Sequence, residues 1–266
     1  MNHPLCLDFL TAIEAPPPKL ATLAAANGCE SISILVHPSP GVPDYGMNTD
    51  TPTRSETLNR CSDLGVAVDM VEGFFLTPET DVAGYRGSLE SGGVLGARSV
   101  NVLLRDTDLS RLRDNFSAFC DLAHAHGMAV ITEWSIRSPF PTPAEAAAFL
   151  ADAGRPGAKL AFDSLHLFRA GYTAADIAAL DPALVGRGQL SDGPAEMQVD
   201  RILAEAFSER LPPGEGAIPL AAFVEALPEG TVIGLEVPME SRRLQGVGAA
   251  DRVRQVVKAA NAIVRG

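Results

Sequence analysis

Residues 128–163 read MAVITEWSIRSPFPTPAEAAAFLADAGRPGAKLAFD. The segments MAVITEW and AKLAFD are short apolar runs, which are typical of parallel strands buried on both faces. Between them, Thr142 followed by Pro143 marks the start of a helix, and Gly154 marks its end. This stretch therefore predicts two parallel strands that are joined by one helix.

The same strand–helix unit recurs along the whole chain. Apolar runs predict strands at residues 5–13, 31–38, 66–76, 98–104, 128–134, 158–163, 185–192 and 231–238. Periodic segments predict helices at residues 19–28, 53–65, 109–127, 142–154, 173–180, 219–227 and 249–264. No glycine-rich phosphate loop follows the first strand, as a doubly wound sheet would usually require. We therefore predict an α/β fold, a (β/α)8 TIM barrel, with residues 1–266 forming a single domain.

Composition limits the classes of partner. The 266 residues are 46% hydrophobic and 20% charged, with a formal net charge of −12, which suits a soluble enzyme with a large core. Because an acidic surface repels the phosphate backbone of nucleic acids, we expect no nucleic-acid partner. We expect a small-molecule substrate instead. No apolar stretch has the length of a membrane span, and no basic region precedes the first apolar run. We expect no membrane association and a cytoplasmic location. The sequence leaves open whether the protein forms a homo-oligomer.

Four consecutive predicted strands end in oxygen-bearing side chains, namely Glu133, Asp163, Gln189 and Glu236. In a parallel barrel, the carboxyl ends of the strands meet at one mouth. A single buried acid is often explained by a helix cap or an ion pair, but three converging acids favour a shared cation. Because all four side chains can supply oxygen, they suit Mg²⁺ or Mn²⁺ better than Zn²⁺. We predict one divalent metal ion at this mouth.

Further candidates lie beside these four positions. His166 and Asp192 each follow a predicted ligand by three residues, and we predict that both bind the substrate. His37, Trp134 and Arg137 are weaker candidates for substrate binding, since each could equally be a packing or surface residue. Two more residues could reach the mouth or form ion pairs instead: Glu72, inside the third strand, and Arg210, in a loop.

These residues together resemble the xylose isomerase-like TIM barrels. The resemblance rests on the fifth-strand glutamate, DSLH at 163–166, QLSD at 189–192, PGEG at 213–216 and GLEVP at 234–238. That superfamily contains sugar isomerases and epimerases, inosose and dehydroshikimate dehydratases, and endonuclease IV. Its ketose 3-epimerase branch holds one divalent ion by Glu, Asp, His and Glu, which fall on Glu133, Asp163, Gln189 and Glu236. This chain departs from that branch at Gln189, where a histidine is usual.

The resemblance implies a metal-dependent isomerase or epimerase of a sugar or related polyhydroxy ketone. Glu133 and Glu236 would remove and return the proton on opposite faces of an enediolate. The expected ion is Mn²⁺ or Mg²⁺, with Co²⁺ or Zn²⁺ as further candidates. The alternative is a dehydratase of a cyclitol or dehydroshikimate-like compound, because the same enediolate can eliminate water. A non-catalytic barrel and an abasic-site endonuclease are less favoured, the latter because the chain has only five histidines.

Overall fold

Eight parallel strands close into a barrel in chain order, and the last strand pairs with the first. This computed structural model describes residues 3–196 and 202–266. The predicted (β/α)8 barrel is confirmed. The strands are β1 Leu5–Leu7, β2 Ser31–Leu35, β3 Ala67–Leu76, β4 Ser99–Leu104, β5 Ala129–Trp134, β6 Lys159–Asp163, β7 Val185–Leu190 and β8 Val232–Leu235.

The helices of the described residues surround this barrel. They are α1 Pro17–Asn27, α2 Pro52–Leu64, α3 Arg86–Val94, α4 Leu109–Ala125, α5 Pro143–Ala153, α6 Ser164–Arg169, α7 Ala174–Ala178, α8 Ile202–Phe207, α9 Leu220–Ala226, α10 Glu240–Leu244 and α11 Ala249–Val264. At the start of α5, Thr142 and Glu145 form a reciprocal capping box, which confirms the predicted start. None of the described helices is long and apolar enough to cross a bilayer.

The first strand differs from the sequence prediction, and four helices, α3, α6, α8 and α10, were not predicted. The first strand ends at Leu7 rather than at residue 13, and a 3₁₀ helix, Phe9–Ala12, follows it. The strand stops before Asp8, whose side chain forms an ion pair with Arg187 inside the barrel. Helix α3 was not predicted, because its three glycines hide any apolar period. A Cβ at Gly92 would lie 2.9 Å from the Met128 sulfur, so a glycine here allows close packing.

Strand β7 contributes polar side chains to the barrel interior and glycines to its outer face. Arg187 and Gln189 are fully buried inside. On the outer face, a Cβ at Gly188 would lie 2.5 Å from the Leu227 Cδ1, at the end of α9. The glycine therefore gives room for close packing of α9 against the strand.

A buried ion-paired layer lies below the mouth of the barrel. Arg187 donates through its two terminal nitrogens to Asp8, next to β1, and to Asp69 on β3. All three side chains are at most 8% exposed. Because Arg187 precedes Gln189 by two residues on β7, this layer supports the polar residues at the mouth from beneath.

Candidate functional site

A cavity of about 500 Å³ opens at the carboxyl ends of the strands. Of the predicted site residues, it brings together Glu133, His166, Arg137 and Glu236. Six polar residues with no firm prediction also line it: Ser39, Glu72, Asn101, Arg105, Ser135 and Arg210. Much of the remaining wall is apolar, with Phe9, Leu10, Leu35, Phe74, Phe75, Leu203 and Phe207.

Glu133 lies near the end of β5 and faces the cavity. Its Oε1 is 3.5 Å from the Nε2 of His166 on α6. Burial raises the pKa of Glu133 to about 8, the Asp163 charge adds to the effect, and Arg105 counteracts it in part. Burial also lowers the pKa of His166 to about 4, although the nearby Asp163 charge acts in the opposite direction. At neutral pH the imidazole is therefore uncharged beside Glu133.

Asp163 ends β6 and caps helix α6. Its Oδ1 accepts hydrogen bonds from the backbone N–H groups of Leu165 and His166, at 2.7 and 3.2 Å. Its Oδ2 accepts from the Nη1 of Arg210, at 2.6 Å. Burial works to raise the pKa of Asp163, but the Arg210 charge and these hydrogen bonds outweigh it and lower the pKa. Asp163 is accordingly held as an anion.

Gln189 and Glu236 contact each other across neighbouring strands. The Nε2 of Gln189 donates to the Oε2 of Glu236 at 2.6 Å. The amide oxygen of Gln189 is buried and accepts no hydrogen bond from the described residues. Burial raises the pKa of Glu236 well above its usual value, Arg210 partly offsets this, and the charges of Asp163 and Glu133 raise it further.

Arg210 joins two of the acids from a loop that follows α8. Its Nη1 also donates to the backbone carbonyl of Glu236 at 3.1 Å and lies 3.6 Å from the Oε2 of that residue. Its Nε and Nη2 donate to the carbonyl of Ala206, at 3.1 and 2.8 Å. Burial disfavours its charge, but Asp163 and Glu236 together raise the pKa of Arg210. The sequence alone did not distinguish this role from that of a surface charge.

Glu72 adds a further carboxyl group to the cavity. Its oxygens accept from the Ser33 hydroxyl at 2.7 Å and the Asn101 amide at 3.5 Å. Burial raises its pKa to about 7, and the Asp8 charge adds to this. The sequence signal is the acid within the apolar run DMVEGFF, followed by Gly73. Gly73 has a φ of 111°, and a Cβ there would collide with the His37 carbonyl, so the residue must be glycine.

Three predicted substrate-binding residues do not line the cavity. Asp192 is buried and accepts from backbone N–H groups of the PGEG turn and its neighbours, at 2.9–3.1 Å. Trp134 is 2% exposed, and its indole donates to the Phe140 carbonyl at 3.0 Å. The Nδ1 of His37 lies 2.9 Å from the Ser88 hydroxyl. Asp192 thus stabilises a turn, and Trp134 and His37 pack between elements; substrate binding by these three residues stays a prediction.

Comparison with known proteins identifies a matching family and solved structures of similar fold. The family model of xylose isomerase-like TIM barrels matches residues 21–262. No curated protein matches the sequence. Among solved structures, the IolI protein with a bound zinc atom has a TM-score of 0.81, is 18% identical, and covers 98% of each chain.

Two further structures illustrate the range of activities on this fold. The probable 3-DHS dehydratase AsbF of Bacillus anthracis has a TM-score of 0.77 and 14% identity, covering 97% of this chain and 98% of its own. A D-psicose 3-epimerase, solved in the presence of D-fructose, has a TM-score of 0.73 and 16% identity, covering 99% of this chain and all of its own. At such identities the likeness establishes the fold and leaves the reaction to the site itself.

Proposed function

The chain belongs to the xylose isomerase-like TIM barrel family, and from this membership we propose that it is a divalent-metal-dependent isomerase or epimerase of a sugar or related polyhydroxy ketone. The supporting observation is the placement of Glu133 and Glu236 on one cavity. Between β5 and the end of β8 lie two strands on one side and four on the other. The two carboxyl groups therefore approach a bound molecule from different sides.

The proton transfers follow from this arrangement. One of the two groups, Glu133 or Glu236, acts as a carboxylate, the form that a bound cation would favour over the raised pKa of the metal-free site; it takes the proton from the carbon next to the substrate carbonyl, and the electron pair of that C–H bond forms the enediolate. The carboxylic acid on the other side returns a proton to the opposite face, which inverts the carbon. His166, uncharged at neutral pH, donates or accepts a hydrogen bond at a substrate oxygen. Arg210 holds Asp163 and Glu236 in place throughout.

The residues present fit a hard divalent ion. Glu133, Asp163, Gln189 and Glu236 offer oxygen donors alone, and the amide oxygen of Gln189 is buried without a hydrogen-bond donor in the described chain. Within residues 3–196 and 202–266 no three His, Cys, Asp or Glu side chains lie together as a metal-binding group, so the proposal requires the three acids and the Gln189 amide to close around the ion when it binds. A bound Mg²⁺ or Mn²⁺ would polarise the substrate carbonyl and stabilise the developing negative charge.

A dehydratase is the second candidate. The observation that favours it is the position of Glu72, with its raised pKa, in the same cavity. Elimination of water needs an acid that protonates the departing hydroxyl, in addition to the base that removes the α-proton. Glu72 lines the same cavity as Glu133 and Glu236, and its raised pKa keeps a proton available near neutral pH. A substrate hydroxyl on the β3 side would leave as water, with the C–O bond breaking as the proton arrives.

A reaction in D₂O tests the proposal and separates the two candidates. The metal-loaded protein is incubated with ketohexoses, cyclitol ketones and hydroxylated keto acids, and the products are followed by mass spectrometry and NMR. We expect an isomerase or epimerase to incorporate one deuterium at the carbon next to the carbonyl, and its product should not lose water. A dehydratase yields a product that lacks one water. The absence of exchange and elimination across the panel would contradict both.

Thermal unfolding tests the metal at two pH values. Without metal, burial raises the folded-state pKa of Glu72 and Glu133 to about 7 and 8, from an ordinary value of 4.5. Their contribution to stability is therefore present below about pH 4.5 and lost as the pH rises through 7 to 8. We expect a lower Tm at pH 8.5 than at pH 5, and a larger rise in Tm on adding Mg²⁺ or Mn²⁺ at pH 8.5, where the carboxylates are free of protons.

The matched control for this measurement is a surface carboxylate. Glu236→Gln should lose the metal-induced rise in Tm, whereas Glu225→Gln, on the exposed face of α9, should keep it. An unchanged Tm of the wild-type protein with Mg²⁺, Mn²⁺, Co²⁺ and Zn²⁺ at pH 8.5 would contradict the metal assignment.

A further inference from the structure

A second cavity of about 250 Å³ lies beside the first, and we call it the side pocket. Leu10 and Phe207 line both cavities. In the loop that follows β2, Pro40 and Val42 line the first cavity, and Gly41 between them lines the side pocket. Phe207 is 51% exposed, so the boundary that it forms is open to solvent. The two cavities are thus neighbours at one mouth, and an elongated molecule can occupy both.

The charged residues of the side pocket are two acids and two arginines, which pair with each other. Arg243 donates through its Nη2 to Glu240 at 3.0 Å, and Arg252 donates through its Nη2 to Glu14. Because these charges compensate one another, the pocket has no net charge that would attract an ionic group. An apolar group would displace water from these polar side chains without replacing its hydrogen bonds, which is costly. The lining therefore fits a neutral group that carries several hydroxyls.

Arg252 has a hydrogen-bond donor to spare. Its side chain is 2% exposed. Its Nη1 donates to the Val247 carbonyl at 2.6 Å, and its Nη2 is taken up by Glu14. Its Nε–H is buried and has no acceptor among the described residues. A buried donor without an acceptor carries a free-energy cost, which a hydroxyl oxygen of a bound molecule can remove.

Backbone hydrogen bonds fix the floor of the side pocket to the first cavity. The N–H of Glu240 donates to the Ser208 carbonyl at 2.9 Å, and the N–H of Arg210 donates to the Pro238 carbonyl at 2.7 Å. The side chain of Arg210 in turn contacts Glu236 in the first cavity. The spacing between the side pocket and the catalytic carboxyl group is therefore set by the backbone.

We propose that the side pocket binds a second hydroxylated unit of the substrate, which is then a disaccharide-like compound rather than a free monosaccharide. The ketone-bearing unit occupies the first cavity beside Glu133 and Glu236. Hydroxyls of the second unit accept from the arginines and donate to the acids of the side pocket. The ring of Phe207 gives the C–H face of a sugar an apolar contact between the two units. This inference rests on the proposed function, because it names the substrate class of the same site.

Binding of ketose disaccharides to the Mg²⁺-loaded protein tests the side pocket. The probes are D-fructose and the glucosyl-fructoses turanose, maltulose, leucrose and isomaltulose, which attach glucose at different hydroxyls of the same ketose. Titration calorimetry should show at least one disaccharide binding about 10-fold or more tightly than fructose, since its added hydrogen bonds go to charged groups. Fructose 6-phosphate and 6-O-benzylfructose are the anionic and apolar probes. Tighter binding of either one than of every disaccharide would overturn the assignment to a neutral hydroxylated unit.

Two arginine variants make the test specific. Arg243→Met should reduce the binding of the best disaccharide to the level of fructose and leave fructose binding unchanged. Arg254→Met is the matched control, because Arg254 forms a similar ion pair with Asp251, at 2.8 Å, on the exposed face of α11. It should bind every probe as the wild type does.

Four results would each overturn the inference. They are a wild-type protein that binds no disaccharide more tightly than fructose, an Arg243→Met protein that keeps the full gain, an Arg243→Met protein that loses fructose binding equally, and no binding of any probe at millimolar concentration.

Deuterium exchange separates this inference from the proposed function. Exchange into fructose without tighter binding of any disaccharide would overturn the side pocket and leave the enolising enzyme intact. Conversely, tighter binding of a disaccharide through Arg243, without exchange in any compound, would support the side pocket and contradict the proposed function.

Discussion

Replacing Glu236 with glutamine is expected to reduce kcat by about 10²–10⁴-fold, the usual contribution of a general acid or base. Glutamine has nearly the same shape and can still accept the hydrogen bond from Gln189, which now joins Nε2 to the Glu236 Oε2 at 2.6 Å. It can neither take up nor release a proton at neutral pH. Arg210 remains anchored by Asp163 and by the Ala206 carbonyl, so the fold should be kept.

The measurement is turnover of the compound identified in D₂O, with deuterium incorporation as a second readout. Glu133→Gln should lose exchange as well, because both carboxyl groups are needed for inversion at carbon. Glu225→Gln serves as the matched control and should retain full turnover, since it removes an exposed charge outside the cavity. A Glu236→Gln protein that turns over as the wild type does would contradict an acid–base role for this carboxyl group.

The sequence predicts the barrel well because the signals that define it are local. Apolar runs, the helix start at Thr142 and Pro143, and the glycine ends of helices each depend on a few neighbouring residues. The prediction was wrong at the first strand, where Asp8 leaves the ladder for a partner far along the chain. It was silent on α3, whose glycines serve packing against Met128 and carry no period of their own.

The site was predictable where a residue belongs to a strand and was less so in loops. Glu133 and Glu236 lie on the cavity because the carboxyl ends of parallel strands converge. Trp134 follows Glu133 directly, so the alternation of a strand already sends its ring to the opposite face. Arg105 and Arg210 depend on how far a loop side chain reaches, which no local pattern contains. The hydrogen bonds of Asp192 were not predictable from a local pattern either, because its partners, the N–H groups of the PGEG turn, come from more than 20 residues away.

Replacing Arg187 with methionine is expected to lower the free energy of unfolding by about 3–5 kcal/mol, because it leaves buried charges without a partner. Arg187 is 0% exposed and pairs with Asp8 and Asp69, which are themselves buried. Methionine fills much of the same space but supplies no hydrogen-bond donor. Urea denaturation followed by circular dichroism measures the loss.

The triple variant Asp8→Asn, Asp69→Asn, Arg187→Met separates the charge from the packing. If unpaired charge causes the loss, the triple variant should be more stable than Arg187→Met alone, since two neutral amides replace two buried anions. Arg113→Met, which removes a half-exposed partner of Asp152 at 3.7 Å, should change little. Equal stability of the single and triple variants would mean that the cost lies in packing. If Arg187→Met is less stable than the wild type and the triple variant is not, the ion pairs of Arg187 with Asp8 and Asp69 stabilise the layer beneath Gln189. These ion pairs then position the mouth of the barrel from below.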